Sequence, residues 1–258
     1  MSLNTLGIIK NGTKIKIPAV FVPPQGYHLT GLRFKNLGTS FTAEQATAIA
    51  NGDFSEFWNG DYWTDTSQNI IWRIVDNTDY MLRKGDTEFT AHGLIVMPDD
   101  PLVMSPINAT KTTSGGYAGT TYRSTHRATA KTKVANFFGN GHIGTHREII
   151  STAVSGGKAS GWGFYDCDVE IPAEVNIYGH NAFSAYSDGG CAFNIGLNWG
   201  QFRLFSLAPY MAINRSYGYF LRDVNTADGY SACTNSGIAT STSANADGSY
   251  LRPFFVLV

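Results

Sequence analysis

The sequence predicts an α+β fold in which short helices are outweighed by strands and long ordered loops. Three observations carry this. Gly, Ser, Thr and Asn fill 90 of the 258 positions, a mixture that favours turns and strands over helix bundles. Short apolar or alternating runs recur along the chain, bounded by Gly, Pro or Asn-Gly. Few stretches carry paired helix start and stop signals. With 43% hydrophobic and 13% aromatic residues, a chain of this length buries a sizeable core without disulfides or a metal.

Residues 1–38 read as β or extended. Leu6–Ile9, Lys14–Val20 and Leu29–Phe34 are short runs, and Asn11-Gly12 between the first two is a hairpin signal. This segment is expected to serve attachment or oligomerisation, with the main domain over residues 39–258. Residues 42–50 form the first helix, with a Thr42/Gln45 capping box and an Asn51-Gly52 stop. Phe54, Phe57, Trp58, Tyr62 and Trp63 crowd ten positions ahead of the β-type run Ile70–Val75, which together predict a core hairpin. Leu94–Met97 is a strand stopped by Pro98. Residues 108–122 are a polar loop too long for a mere connector. A second helix covers 124–138, capped by Ser124 or Thr125 and ended by Gly139. A third is expected over His146–Val154, stopped by Gly156-Gly157, and a short fourth between Pro172 and Gly179. Phe202–Leu207 is assigned to loop and strand, and Tyr217–Val224 to a strand. Residues 225–249 are expected to be one long polar loop. Tyr250–Val258 closes the chain as a hydrophobic strand, which has to be buried and so is predicted inside the main sheet.

Composition excludes several function classes. Nineteen basic against 20 acidic residues leave a net charge of −1, too little positive charge for nucleic acid binding through phosphates. Cys167, Cys191 and Cys233 are too few for a disulfide scaffold, and without a CxxC pair no zinc site is expected. They read as small buried thiols. No apolar run approaches the length of a membrane span, so no membrane insertion is expected. The first residues lack a charged stretch followed by an apolar one, so synthesis in a cytoplasm is expected.

His142 and His146, four apart with Glu148 nearby, have the spacing of a metal pair on a helix face. Gly144 between them, and the lack of a Glu directly after the first His, favour capping or surface roles instead. Alternation along a strand would place Asp166, Asp168 and Glu170 on one face, as a calcium site or a hydrolytic carboxylate pair, or as a solvated face near Lys158 or another base. There is no GxSxG elbow and no phosphate loop. Trp58, Tyr62, Trp63 and Trp72 could stack on sugar, as could Tyr178 and Trp199, but a core role is expected. Trp63, Trp72, Arg222 and Arg252 are expected to anchor the fold, with Asp223 beside Arg222 at a strand end. No catalytic residue, metal or cofactor is assigned.

Several segments together carry a resemblance. They are Asn59-Gly60-Asp61-Tyr62-Trp63, Trp72-Arg73-Ile74, His92–Pro98, Thr112–Tyr117, Tyr178-Gly179, Gly218–Asp223 and Arg252-Pro253-Phe254. Over residues 50–258 the chain resembles a group of phage and prophage structural proteins. Their C-terminal half is similar to C-type-lectin-like and formylglycine-enzyme-like folds, in which a "W/F-L-R" strand, a polar loop and a closing "R-P" strand recur. The resemblance implies a twisted antiparallel sheet beneath long ordered loops. The cysteine pair of the enzymatic branch is missing here, since Cys233 stands alone in the polar stretch.

The function expected from this is a virion protein on tail or capsid, assembled as a homo-oligomer with other virion proteins. Asn225, Asp228, Tyr230, Asn235 and Asn245 in residues 225–249 are the candidate contacts to a host cell-surface glycan or protein, because Asn, Ser, Gly and Tyr suit adaptable recognition surfaces. Two alternatives stand beside it: a cementing protein that binds no receptor, and a glycan hydrolase using two of Asp166, Asp168 and Glu170.

Overall fold

Two strands open the chain: β1 (Ile8–Lys10) and β2 (Thr13–Ile15) pair antiparallel with Lys10 opposite Thr13, one on each side of Asn11-Gly12 in sequence. The computed structural model describes residues 8–10, 13–15, 31–77, 92–184, 200–214 and 216–258.

Residues 31–38 run alongside the Asn59–Thr64 stretch. The Arg33 N–H donates to Asn59 O at 2.9 Å, Leu37 N–H to Tyr62 O at 2.7 Å, and Thr64 N–H to Gly38 O at 3.0 Å. Buried Asp61 accepts from the Arg33 guanidinium at 2.6 Å and from the backbone N–H groups of Lys35 and Trp58 at 3.0 and 3.1 Å. Gly60 has φ +91°, and a Cβ there would lie 2.4 Å from Arg33 O, so only glycine fits. Residues 31–38, expected to belong to a separate N-terminal segment, are thus bonded into the edge of the main sheet.

Helix α1 (Ala43–Ala50) starts at the predicted capping box, with Thr42 and Gln45 bonding each other's backbone N–H reciprocally. Gln45 Oε1 also accepts from the Trp63 indole N–H at 3.0 Å, so the cap ties the helix to the core. Strands β3 (Tyr62–Asp65), β4 (Ile70–Asn77) and β5 (Leu94–Pro98) follow. Short 3₁₀ and π turns at Tyr117–Gly119 and Tyr122–His126 lead into α2 (Arg127–Phe138). Thr120 Oγ1 accepts the Arg123 N–H at 3.3 Å, so the helical stretch begins before the expected Ser124 or Thr125 cap. Then come β6 (Ile143–Gly144), β7 (His146–Ser155), β8 (Lys158–Cys167) and β9 (Val169–Glu170). The short helices α3 (Glu174–Tyr178) and α4 (Arg203–Leu207) precede β10 (Gly218–Val224), β11 (Gly229–Cys233), β12 (Ala239–Ser243), β13 (Ser249–Tyr250) and β14 (Phe254–Leu257).

The main sheet has the order β3-β4-β5-β14-β6, with β9 also on β14, and all its pairings are antiparallel. The closing strand lies inside this sheet, as its hydrophobicity requires. A second sheet has the order β12-β11-β10-β13, in which only β13 runs parallel to its neighbour. Strands β7 and β8 form a separate long hairpin. The architecture is α+β, with mostly antiparallel sheets and few short helices.

Alternation explains how the sheets build three cores. Leu94, Val96, Phe255 and Leu257 face a cluster with Trp63, Trp72 and Phe138. Ile95, Met97 and Phe254 face the other side, against Phe202, Leu204 and Phe205 of the α4 region. Because both faces of β5 and β14 are covered, these strands read as continuous apolar runs rather than alternating ones. The third core lies against the second sheet, around Phe220, Tyr230, Tyr117 and Tyr122. Phe138 sits among aromatic rings, 5.5 Å from Trp63, 5.7 Å from Trp72 and 5.3 Å from Phe255.

Three expectations are overturned. Residues 146–154 are a strand, not a helix. Ile149, Ile150 and Val154 satisfy either periodicity, but the β-branched content suits a strand. Gly156-Gly157, both at positive φ, also make the tight two-residue turn that returns the chain as β8. Residues 203–207 are helical, not loop or strand. Residues 225–249 are not one loop: they hold β11, β12 and the start of β13. Strand β12 was hidden because it pairs only with β11 and is half-exposed throughout, so its Thr and Ser residues present no apolar stripe.

Phe138→Ala is expected to cost about 3–5 kcal/mol, the range for emptying a buried aromatic site. Thr132→Ala on the exposed face of the same helix should change stability by less than about 0.5 kcal/mol. Urea unfolding of both variants checks this, and equal effects would contradict the core assignment.

Candidate functional site

The residues singled out in 225–249 divide between two ends of the β11–β12 hairpin. Asp228 directly precedes β11, and the Ala244 N–H donates to Asp228 O at 2.9 Å. Asn245 therefore stands at the same end, exposed, with its Oδ1 accepting from Ser243 Oγ at 3.0 Å. Asn225 Oδ1 accepts from Ser241 Oγ at 3.0 Å, bracing the hairpin from behind. Asp228 pairs with Lys111 at 3.0 Å and accepts from Thr226 Oγ1 at 2.9 Å. Hydrogen bonds from Lys111 and Thr226 hold its carboxyl below the usual range. Asn235 is exposed at the opposite end, one strand length or roughly 16 Å away at strand rise. Tyr230 is a correction: its ring is fully buried and its hydroxyl donates to Gly116 O at 2.9 Å. It supports the surface from below and offers no contact face.

The four expected anchors are all buried. Trp63 and Trp72 belong to the aromatic core. The Arg252 Nε–H donates to Pro98 O at 2.8 Å, and its guanidinium lies 5.0 Å over the Tyr219 ring. Arg222 Nη1 forms an ion pair with Glu148 Oε2, and its backbone N–H donates to Pro172 O at 3.1 Å. Burial pulls Arg222 down to about 10, still well above neutral pH. Asp223 accepts from the Glu174 backbone N–H at 2.6 Å.

Around Arg222 lies a closed polar cluster that sequence reasoning missed. His146 Nε2 lies 2.9 Å from Glu148 Oε1. Glu170 Oε1 receives Arg123 at 3.0 Å and Arg127 at 3.3 Å, and Oε2 accepts the Tyr117 hydroxyl at 2.6 Å. Asp168 pairs with Lys131 at 2.9 Å and lies 3.7 Å from Arg127. Burial alone would raise the Asp168 carboxyl, but Lys131, the Val169 N–H and Arg127 hold it below its ordinary value. Arg123, Arg127 and Lys131 recur every fourth residue, the spacing that lines one helix face. That periodicity was the available signal.

This arrangement corrects two expectations. Asp166, Asp168 and Glu170 do not share a face, because β8 ends at Cys167. Asp168 and Glu170 meet at Arg127, while Asp166 pairs with Arg147 of the neighbouring strand at 3.2 Å. Nor do His142 and His146 lie on one helix face. His142 bonds Val258 O at 2.9 Å, and His146 is buried in β7.

His146 is neutral at pH 7. Burial lowers it to about 4, outweighing the attraction of Glu170 and Asp168. The neutral Nε2–H tautomer donates to Glu148, and Nδ1 has no hydrogen-bond partner among the described residues. Protonation would therefore create a buried orphan donor. Burial also pushes the Cys167 and Cys233 thiols up, so both stay protonated and unreactive. Cys191 and Trp199 lie outside the described residues. Trp58 is half-buried beneath the Arg33 guanidinium at 5.4 Å, Tyr62 beneath Arg73 at 4.8 Å, and the Tyr178 hydroxyl donates to Gly237 O at 3.3 Å. Among the described residues, no group of three or more His, Cys, Asp or Glu is placed to hold a metal ion. Nor is any helix there long and apolar enough to cross a membrane.

Comparison with known families, curated proteins and solved structures finds no match to this chain.

Two outcomes test the cluster. Arg222→Met is expected to cost about 3–5 kcal/mol, because Glu148 is left buried without its cation. A urea midpoint shift well below that would mean water reaches Glu148. The lowered His146 makes stability fully present above pH 6.5 and lost as the pH falls towards 4, since the unfolded chain binds the proton first. The effect is on the order of 3 kcal/mol. His146→Gln should flatten the stability slope across that window relative to wild type, and an unchanged slope would refute the assignment.

Proposed function

We propose that this chain is a non-enzymatic structural protein of a bacteriophage particle, presenting a C-type-lectin-like domain on tail or capsid for contact with the host surface. It is made in the host bacterial cytoplasm and acts as part of the virion.

The observation that carries the reading is the contrast between base and rim in the second sheet. All residues of β10 and β11 are buried, while β12 is half-exposed throughout, with Asn235 and Asn245 exposed in the segments that flank it. A polar Asn/Ser/Thr rim on a rigid base suits adaptable hydrogen bonding to a glycan or surface protein. The rim carries few charges, so such binding depends little on salt. Weak single contacts gain avidity in a symmetric homo-oligomer. Hydrolysis is disfavoured: Asp166 is paired elsewhere, Asp168 is held ionised, and both oxygens of Glu170 are already bonded.

A cementing role without receptor binding is the second reading. It is favoured by the exposed apolar side chains Phe183, Tyr210, Leu207 and Ile238, which suit contacts to neighbouring virion proteins.

Immunogold electron microscopy of intact particles, with antibody to this chain, tests both. Label on the tail tip or projecting fibres is the expected result. Label spread over the head would favour cementing, and no label on particles whose antigen is shown to be accessible would overturn the virion reading.

A further inference from the structure

Three Asn-Gly pairs lie among the described residues, at 51–52, 59–60 and 140–141, and the fold holds them differently. An Asn followed by Gly can rearrange when the Gly backbone nitrogen attacks the Asn side-chain carbonyl carbon. Glycine permits the approach because no Cβ crowds the nitrogen. A nitrogen engaged in a hydrogen bond, or an Asn packed in the interior, has to break that structure first.

Two of the pairs are engaged in this way. Asn59 is fully buried and donates from Nδ2 to Gly31 O at 3.2 Å, and the Gly60 N–H donates to Ile74 O at 2.9 Å. Asn51 ends α1, and the Gly52 N–H donates to Ile49 O at 2.9 Å. The third pair opens the single 3₁₀ turn Asn140–His142, between α2 and β6. Asn140 and Gly141 are both exposed. Neither the Asn140 side chain nor the Gly141 N–H makes a hydrogen bond among the described residues. Space around Gly141 is open, since a Cβ there would meet nothing within 4 Å. A lone 3₁₀ turn is held by poorly aligned hydrogen bonds, and Gly139 on its other side sits at φ +87°. Little resists the rotation that brings Asn140 Cγ onto the Gly141 nitrogen.

We propose that Asn140-Gly141 is a site of spontaneous backbone modification, converting to aspartate and isoaspartate in the folded protein while Asn51 and Asn59 persist. Water is the co-reactant. The Gly141 nitrogen bonds to Asn140 Cγ, and the side-chain nitrogen leaves as ammonia with the proton from the Gly141 N–H. Water then opens the resulting cyclic imide at either carbonyl. One opening leaves ordinary aspartate. The other routes the main chain through the side-chain carbons, which adds a methylene to the backbone and frees a carboxylate. The turn affected is the one that clamps the closing strand. The His142 ring donates from Nδ1 to Val258 O at 2.9 Å, and the Val258 N–H donates to His142 O at 3.1 Å, beside Ile143 opposite Leu257. A longer main chain just before His142 displaces that clamp.

The test is incubation of the full chain in mildly alkaline buffer, folded and in concentrated urea. Peptide mass spectrometry follows the exchange of NH2 for OH at each Asn, with isoaspartate resolved from aspartate by retention. In the folded chain, conversion at Asn140 is expected to be at least about tenfold faster than at Asn51 and Asn59, with the three rates converging in urea. Gly141 lies outside the left-handed region and has open space, so Gly141→Ala leaves the fold intact. It should slow conversion at Asn140 by about tenfold by crowding the attacking nitrogen. Hydrogen exchange at the Val258 amide should be faster in the isoaspartate fraction than in unmodified protein. No conversion at Asn140, equal rates at the three sites in the folded chain, or an unchanged rate in Gly141→Ala would overturn the proposal. Unchanged exchange at Val258 would overturn its link to the clamp.

Discussion

The Arg222–Glu148 ion pair is the constraint on which the rest of the structure depends. It joins β10 of the second sheet to the β7–β8 hairpin, and both partners are fully buried. Two charges removed from water are tolerated only when each finds the other in good geometry. Hairpin and sheet must therefore dock in one register, with His146 held neutral on the far oxygen of Glu148. The same logic repeats one layer away. Glu170 on β9 is buried, so the Tyr122–His126 turn and the start of α2 must present Arg123 and Arg127 to it, and β9 in turn pairs with β14 of the main sheet. The charged core thus specifies how the elements meet, while the three apolar clusters supply the hydrophobic drive.

This division has a chemical consequence. One histidine, two carboxylates and a thiol lie inside and are engaged with one another or with arginines. The imidazole of His146 is neutral and weakly basic, the Cys167 thiol stays protonated, and both oxygens of Glu170 are bonded. What the described β12 rim presents is Ser and Thr flanked by the exposed amides of Asn235 and Asn245, groups suited to hydrogen bonding. The strong perturbation of His146 and Cys167 is thus a mark of packing, although perturbed groups often mark active sites.

Much of this was legible in the sequence, and the failures have physical causes. The Thr42/Gln45 box located α1 because capping is a local interaction. The Trp63/Trp72 hairpin and the closing strand were legible because large apolar runs have to be buried. Residues 146–154 misled because a short apolar pattern fits two periodicities. Strand β12 was invisible because a half-exposed edge has no hydrophobic face to read, and Tyr230 was misplaced as a contact once its strand was taken for loop. Arg222 was legible as an anchor, but Glu148 was not legible as its partner, since the two are brought together only by the docking of separate sheets.

The two ends of the β11–β12 hairpin are held by different means. Gly237, in the turn after β11, sits against Ile213: a Cβ there would lie 2.9 Å from Ile213 Cγ1. Ile213 therefore supports the turn that carries Asn235. At the other end of the hairpin, Asp228 is paired with Lys111 and Asn225 accepts from Ser241, while Asn245 is exposed. Of the residues first singled out by composition, Asn235 thus rides on a turn braced from outside the hairpin, while Asn245 stands beside the Lys111–Asp228 pair, so the exposed strand β12 runs between two ends that are supported differently.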